Sequence, residues 1–357
     1  MDASTRYSFN QVFKDEPGWY CGDFHAHTDA SPDGDYPSNV LAELARAEGL
    51  DFVSITDHKT IRGLQGLEPN LNFPVIPGIE ITLDKGHFNV FGIGESHQWV
   101  EDIGISTEEV PLPPRYTTVN QLLERTAQAG LLNSINHPLL HPWSWRYPGT
   151  DLSFIHCVEL WNDLYWPGNV YANPKTVNLW TKWLNAGYQV TAIGGSDYHY
   201  LPKPDQQLYG ERLNQPTTHV YAEQLSAPAI LEGLRRRRVY VSKGPKLEFQ
   251  AQVDGNIYYL GDDLGKQTGN LEIGIVINDG PERIIAQVVK NGEIISNEQI
   301  MVPDTTIEFS YQVESAEPAW YRVEVLDLNW ELLTITNPIF LNFQDSDERS
   351  SPGSILW

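Results

Sequence analysis

Seven short runs, almost unbroken in apolar residues, punctuate the first two thirds of the chain: Trp19–Phe24, Phe52–Thr56, Val75–Ile81, His87–Gly92, Leu132–Asn136, Cys157–Trp161 and Val190–Ile193. A strand with one face in water alternates apolar and polar residues. An unbroken run suits a strand covered on both faces, as in parallel sheets. The segments between the runs carry apolar residues at helical spacing and have readable ends. Val40, Leu41, Leu44 and Ala45 form one such face, with Ser38 as N-cap and Gly49 beyond the end. Thr118 and Gln121 have capping-box spacing before Leu122 and Leu123, and Gly130 closes that helix. Asn173–Pro174 is expected to open a third helix, and Ser226 a fourth. Repeated strand–helix units predict an α/β fold, either a layered sheet or a barrel.

Near Gly244–Pro245 the period changes. Leu247, Phe249, Ala251 and Val253 alternate, as do Leu271, Ile273, Ile275 and Ile277, and later Ile307, Phe309, Tyr311 and Val313; Asn291–Gly292 reads as a two-residue hairpin turn. This predicts a small antiparallel β-sandwich. The expected division is a catalytic region at 1–244, the sandwich at 245–345 and a polar tail at 346–357. A length of 357 residues accommodates two domains.

Lys and Arg number 24 against 47 Asp and Glu, a formal charge of −23. Such a balance argues against nucleic acid or an anionic membrane as partner. An anionic substrate must then be gripped locally, by a metal or a few basic side chains. Cys21 and Cys157 form no CxxC pair and fit a reducing compartment. No window nears the ~20 apolar residues of a membrane span, and the first residues lack the pattern of a signal peptide. A cytoplasmic protein is expected.

Six of the ten histidines stand at or beside the end of an apolar run: His25, His27, His58, His87, His137 and His199. Asp33, Glu80 and Asp197 occupy comparable positions. In α/β barrels the strand ends converge on one site. His-x-His puts two imidazoles on one face of an extended chain. Imidazole with carboxylate suits Zn, Mn or Fe, and two ions ~4 Å apart activate a water and stabilise charge on attacking and leaving oxygens. A polynuclear metal site is therefore expected.

The ordered set His25-Ala-His27-Thr28, Asp33, Thr56-Asp57-His58, Glu80, His87, Asn136-His137-Pro138 and Gly195-Ser196-Asp197-Tyr198-His199 resembles the PHP (polymerase and histidinol phosphatase) superfamily over roughly residues 19–244. The sequence between these motifs, with Trp320-Tyr-Arg-Val-Glu-Val and Thr336-Asn337-Pro338-Ile339, is similar to its CehA/McbA-type metallohydrolase branch. The resemblance implies a distorted (β/α)7 TIM-like barrel, the PHP fold, holding two or three divalent ions. It implies His25, His27, Glu80 and Asp197 around one ion, Glu80, His87 and His137 around a second, and Asp33, His58 and His199 around a third. Lys59 departs from the pattern, in which Asp or Asn commonly follows Thr-Asp-His; this bears on substrate choice and not on metal binding.

Other polar residues have plainer readings. His97, His141, His156 and His219 fit no motif and read as structural; Asp57 reads as a partner orienting a ligand histidine. Arg235–Arg238 reads as a helix end complementing the dipole. Arg62, Arg146, Arg212 and Lys243 are candidate clamps for a phosphate or carboxylate, each also explained as a surface charge. Trp143, Trp145, Trp161 and Trp166 would wall an aromatic pocket or pack the core.

The expected function is hydrolysis of a small phosphate mono- or diester by water activated at the metals, with Glu80 and Asp197 as metal-bound carboxylates and His58 or His199 as candidate proton donors. An aryl carbamate or carboxylester hydrolase using the same site is the alternative. A third reading makes the sandwich a carbohydrate- or partner-binding module, with Trp320 and Trp330 as its aromatics.

Overall fold

The computed structural model describes residues 6–103, 109–200, 212–266, 269–301, 305–313 and 318–343. The tail expected at 346–357 lies outside them, as do the side chains of Ile307, Phe309 and Val313. The first region runs β1 (Gly18–Asp23), α1 (Ser38–Ala47), β2 (Phe52–Ile55), α2 (Arg62–Gln65), β3 (Val75–Leu83), β4 (Gly86–Phe91), α3 (Val119–Gln128), β5 (Leu132–Ile135), β6 (Cys157–Asn162), α4 (Asn169–Asn185), β7 (Thr191–Gly195), β8 (Thr217–Ala222), α5 (Ala227–Arg235) and β9 (Val239–Ser242). All-strand sequence follows: β10 (Lys246–Val253), β11 (Asn256–Tyr258), β12 (Gly269–Asn278), β13 (Arg283–Lys290), β14 (Glu293–Met301), β15 (Thr305–Val313), β16 (Ala319–Leu326), β17 (Leu332–Thr336) and β18 (Ile339–Leu341). No helix among the described residues is long and apolar enough to cross a membrane.

One mixed sheet of fourteen strands carries the order β14-β13-β16-β17-β9-β8-β1-β2-β3-β4-β5-β6-β7, with β18 on β16. Pairs β1–β2, β2–β3, β5–β6 and β6–β7 are parallel, as the unbroken apolar runs predict. The run at His87 is a correction. Only the dipeptide Asp84–Lys85 separates it from β3, so β4 doubles back and lies antiparallel to both β3 and β5. Thr82 consequently faces His87 across the hairpin, which brings His87, at the start of its strand, level with the ends of the parallel strands. The antiparallel strands β8 and β9, unforeseen in the sequence, join β1 to the second region.

Helix ends follow local chemistry with three shifts; at α3, Thr118 is the N-cap but its side chain makes no capping bond, and Gln121 accepts from Thr117 N–H. Ser226 caps α5 by accepting from Ala229 N–H, with Pro228 in the first turn. Ser38 is the first residue of α1 and not its cap; its hydroxyl donates to Gly63 O, tying α1 to α2. The third helix opens at Asn169, not at Asn173–Pro174. Pro174 sits near the helix start, where its missing N–H forfeits one bond, and Asn173 is occupied holding the backbone of Asn162.

Phe24, Phe52, Ile76, Phe91, Leu132, Cys157 and Ile193 come from successive strands yet share one core with Ile230 and Leu234 of α5. The ring of Phe24, just past β1, meets that of Phe91 on β4 at 5.4 Å, so the sheet curls round this core. The free edge of β7 is satisfied by side chains. Thr218 exchanges two bonds with the backbone of Gly194, and Asn337 accepts from Ala192 N–H while donating to Ala192 O and Val239 O. An edge strand whose N–H and C=O groups are filled this way does not recruit another strand.

In the second region the inward residues of β10 and β12 pack with Ile284, Ala286 and Val288 of β13 and Tyr321, Val323 and Val325 of β16, so two facing sheets bury one core. Asn291 and Gly292, both at positive φ (51° and 91°), make the predicted hairpin turn between β13 and β14. Trp320 is buried and donates to Asn185 of α4, which explains it by packing; Trp330 stands exposed on a turn.

Candidate metal centre

The site lies past the C-terminal ends of the parallel strands. Beyond β1 the chain stays extended, Ala26 bridging to Tyr198, so His25 and His27 project to one side. His25 Nδ1 contacts Glu159 Oε1 at 2.9 Å, which leaves Nε2 facing Asp197 Oδ1 at 3.1 Å and Glu80 Oε1 at 3.5 Å. His27 Nε2 lies 3.1 Å from the same Asp197 oxygen and 3.7 Å from Glu80 Oε2. His58, after β2, places Nδ1 2.7 Å from Glu80 Oε2 and Nε2 3.2 Å from Asp33 Oδ2. His87 Nδ1 and His137 Nε2 approach Glu80 Oε1 at 3.3 and 3.6 Å, and His199 Nε2 lies 3.7 Å from Asp33. Two ligand candidates sit on sparsely populated backbone: Asp197 at φ 55° and His137 at φ 27°. Such conformations need support from their surroundings, and Glu159 provides it for His137 by accepting from its N–H at 2.7 Å.

Donor atoms fall into three groups, each within 4.8 Å: His25, His27 and Glu80; Glu80, His87 and His137; and His27, Asp33, His58 and His199. The groups overlap at Glu80 and at His27. His25 Nε2 and Glu80 Oε2, both aimed into the cluster, are buried and complete no regular hydrogen bond. Orphaned buried polar atoms are costly, and imidazole and carboxylate lone pairs converging on one space are the donor set of a transition-metal ion. The residues fit a divalent ion.

Charge in the cluster is mutually arranged. Burial, with His199 and His58 beside it, drives His27 down to about 3, so its imidazole is neutral and ready to ligate. Burial opposes charge on Glu80 too, but His58, His25 and His87 outweigh it and hold this carboxyl well below the usual range. Asp197 is likewise held low, by His25, His27 and His199 against burial. Glu80, the carboxylate common to two of the groups, is thus biased toward its ionised form.

No family model matches the sequence, and no curated relative does. Among solved structures, the chain is similar to a candidate metal-dependent phosphoesterase from Bifidobacterium adolescentis (17% identity, 59% of this chain and 94% of that one, TM-score 0.41). It is also similar to an amidohydrolase from Chromobacterium violaceum carrying sulfate and no metal (16% identity, 50% and 87% covered, TM-score 0.34). A CARDB domain from Pyrococcus furiosus matches 27% of the chain at 15% identity and a TM-score of 0.18.

Above the cluster opens a cleft of about 160 Å³, lined by Asp33, His58, Glu80, His87, His137 and His199 below and by Leu140, Trp143 and Trp166 at its side. Trp143 and Trp166 meet edge to face at 5.8 Å. Trp145 and Trp161 are instead buried in the core, so the four tryptophans divide between the two roles. None of the four candidate clamps lines the cleft. Arg62 and Arg146 are exposed, and Arg146 donates to Asp84 O; Arg212 lies over the Tyr165 ring at 4.9 Å; Lys243 pairs with Glu331 and lies over Trp161. Their loops follow strand ends, but Arg146, Arg212 and Lys243 find nearer partners and Arg62 stands exposed on α2.

Asp57 is another correction. Its carboxylate accepts from the N–H and hydroxyl of Thr28 and so holds the turn after His27, not a ligand ring. His219 is buried and stacks on Tyr240 at 4.4 Å, His97 accepts from Gly94 N–H and His156 joins Asn133; with exposed His141, none belongs to a donor group.

Glu159 belongs to none of the motifs above, and Asn136 enters them only as the residue before His137. Asn136 donates to Glu80 Oε1 at 2.8 Å, and Glu159 joins His25, His137 and Asn162. The signal for Glu159 was a lone carboxylate within the apolar run Cys157–Trp161. Carboxylates behind a ligand imidazole typically contribute 10–100-fold to metal affinity or activity. Glu159→Gln should therefore weaken metal binding roughly tenfold or more, read by competition with a chelator; affinity within twofold of wild type would show that Glu159 does not orient His25.

Proposed function

We propose that this chain is a metal-dependent hydrolase of the PHP type, with a distorted (β/α)7 barrel at 1–244, a β-sandwich at 245–345 and a tail at 346–357. The reaction proposed is hydrolysis of a small phosphate mono- or diester. The observation that carries it is the overlap of donor groups at Glu80 and His27, which supports adjacent ions over one cleft. When bound, two or three Zn, Mn or Fe ions would supply an activated water and neutralise the phosphoryl oxygens. His25, His27 and Glu80, with Asp197 beside them, would hold the first, Glu80, His87 and His137 the second, and Asp33, His58 and His199, with His27 in the same donor group, the third. Glu159 and Asn136 keep His25 and Glu80 turned toward the cleft. Trp143 and Trp166 receive the leaving group and exclude water from one side. As ligands of the third ion, His58 and His199 would carry no proton on the ligating nitrogen, and His199 Nδ1 is already held by Asp197 O at 2.6 Å, so the proton for the leaving oxygen is assigned to water in the cleft.

A second reading keeps the metals and changes the bond. Among the described residues no Lys or Arg lines the cleft, whereas two tryptophans do. That composition favours a neutral aryl carbamate or carboxylester, in keeping with the CehA/McbA-type resemblance.

The test is metal content of the purified protein together with turnover of p-nitrophenyl phosphate, bis-p-nitrophenyl phosphate and an aryl carbamate, for wild type and His25→Ala. Two or three ions per chain and phosphoester turnover lost in the variant are expected. Carbamate or carboxylester turnover alone would move the function to the second reading. Fewer than one ion per chain after reconstitution with Mn, Fe or Zn would overturn both.

A further inference from the structure

A second cavity, larger than the catalytic cleft at about 380 Å³, lies at the other end of the strands. Its wall includes Trp19, the second residue of β1, whereas His25 lies two residues past the last; six extended residues separate them by about 20 Å. From the first region come Trp19, Tyr221 and Arg238, and from the second Glu248, Gln250 and Tyr259. Trp19 and Tyr221, paired across β1 and β8, meet edge to face at 5.7 Å, and Tyr221 runs parallel to Tyr259 at 5.9 Å. The volume falls within the ~300–1,000 Å³ of small-molecule sites.

The polar groups restrict the ligand. Arg238 lies against the faces of Tyr221 and Tyr259, 5.9 and 5.5 Å from the ring centres, which already fills the place a cation would take. Its charge is met by Glu223 at 3.6 Å and Asp262 at 3.7 Å, and Glu248 adds a further carboxylate, so an anion is repelled. Arg238 lines the cavity, its guanidinium held between these rings and carboxylates. Exposed Glu248 and Gln250, on the outer face of β10, add a carboxylate and an amide beside the aromatic rings. Aromatic surface beside planar, hydrogen-bonding side chains matches a ring with an apolar C–H face and hydroxyls round its edge. The cavity floor is open at Gly274, where an added Cβ would meet only Gln250 O, at 3.9 Å.

We propose that this cavity is a binding site for a neutral saccharide, separate from the metal centre and built from both regions of the chain. Its role is to hold a glycan or glycosylated molecule on the protein.

The full-length protein is titrated with maltotriose, cellotriose, chitotriose and xylotriose by calorimetry and saturation-transfer NMR. At least one should bind with a Kd on the order of 1 mM. Gly274→Leu, which fills the floor, should weaken that binding at least tenfold, and Tyr259→Ala should weaken it too, with ester hydrolysis unchanged in both. No binding by any of the four at about 10 mM would overturn the proposal. So would equal binding by wild type and Gly274→Leu, or capture of glucuronate or a trimethylammonium compound in their place.

Discussion

Glu80→Gln should lower turnover by roughly three orders of magnitude while the protein stays folded. Glu80 Oε1 lies within 3.6 Å of nitrogens of His25, His87 and His137, and Oε2 lies 2.7 Å from His58 and 3.7 Å from His27. Five imidazoles thus converge on one carboxylate, which Asn136 holds in place. Glutamine keeps the shape and removes the charge that two donor groups share. Metals contribute several kcal/mol of charge stabilisation in hydrolysis, and each 1.36 kcal/mol is a factor of ten. Plasma emission should show at least one ion fewer per chain, and thermal unfolding should remain cooperative. A full metal complement with unimpaired turnover would show that Glu80 is not the shared ligand.

Cutting the chain after Gly244 should leave the first region unable to fold. β9 would lose its pairing with β17, and Trp320, Ile335 and Phe340 would leave a core they share with Trp180 and Trp183. The edge of β7 would lose Asn337, exposing the backbone of Ala192 and Val239. Asn337→Ala isolates that last contribution. It removes three hydrogen bonds and strands buried partners at ~1–3 kcal/mol for each unsatisfied group, so a loss of about 3 kcal/mol in urea unfolding is expected. A truncated chain with a cooperative transition and native metal content would show instead that the first region is self-sufficient.

The strand runs, the period change near residue 244 and the hairpin at Asn291–Gly292 were legible because strand period and turn backbone are local properties. The reversal of β4 was less so, since an apolar run does not reveal its direction; only the two-residue gap at Asp84–Lys85 hinted at it. The tryptophans could not be sorted from sequence either. Trp145 and Trp166 share composition and neighbourhood, and only burial separates core from cleft wall. Arg212 and Lys243 illustrate the same limit, because a cation at a strand end pairs with whichever acid or ring the fold brings nearest.

By itself the sequence determined the chemical type of the site: imidazoles and carboxylates at strand ends, where extended backbone and short connections aim side chains the same way. It also determined where strand type changes along the chain. Which groups hold those side chains in place depends on the completed packing. Glu159 reaches His25 across 134 residues, and Asn337 reaches Ala192 across 145. Such partners carry no local signature, since a buried polar side chain is satisfied by whatever the completed packing sets beside it.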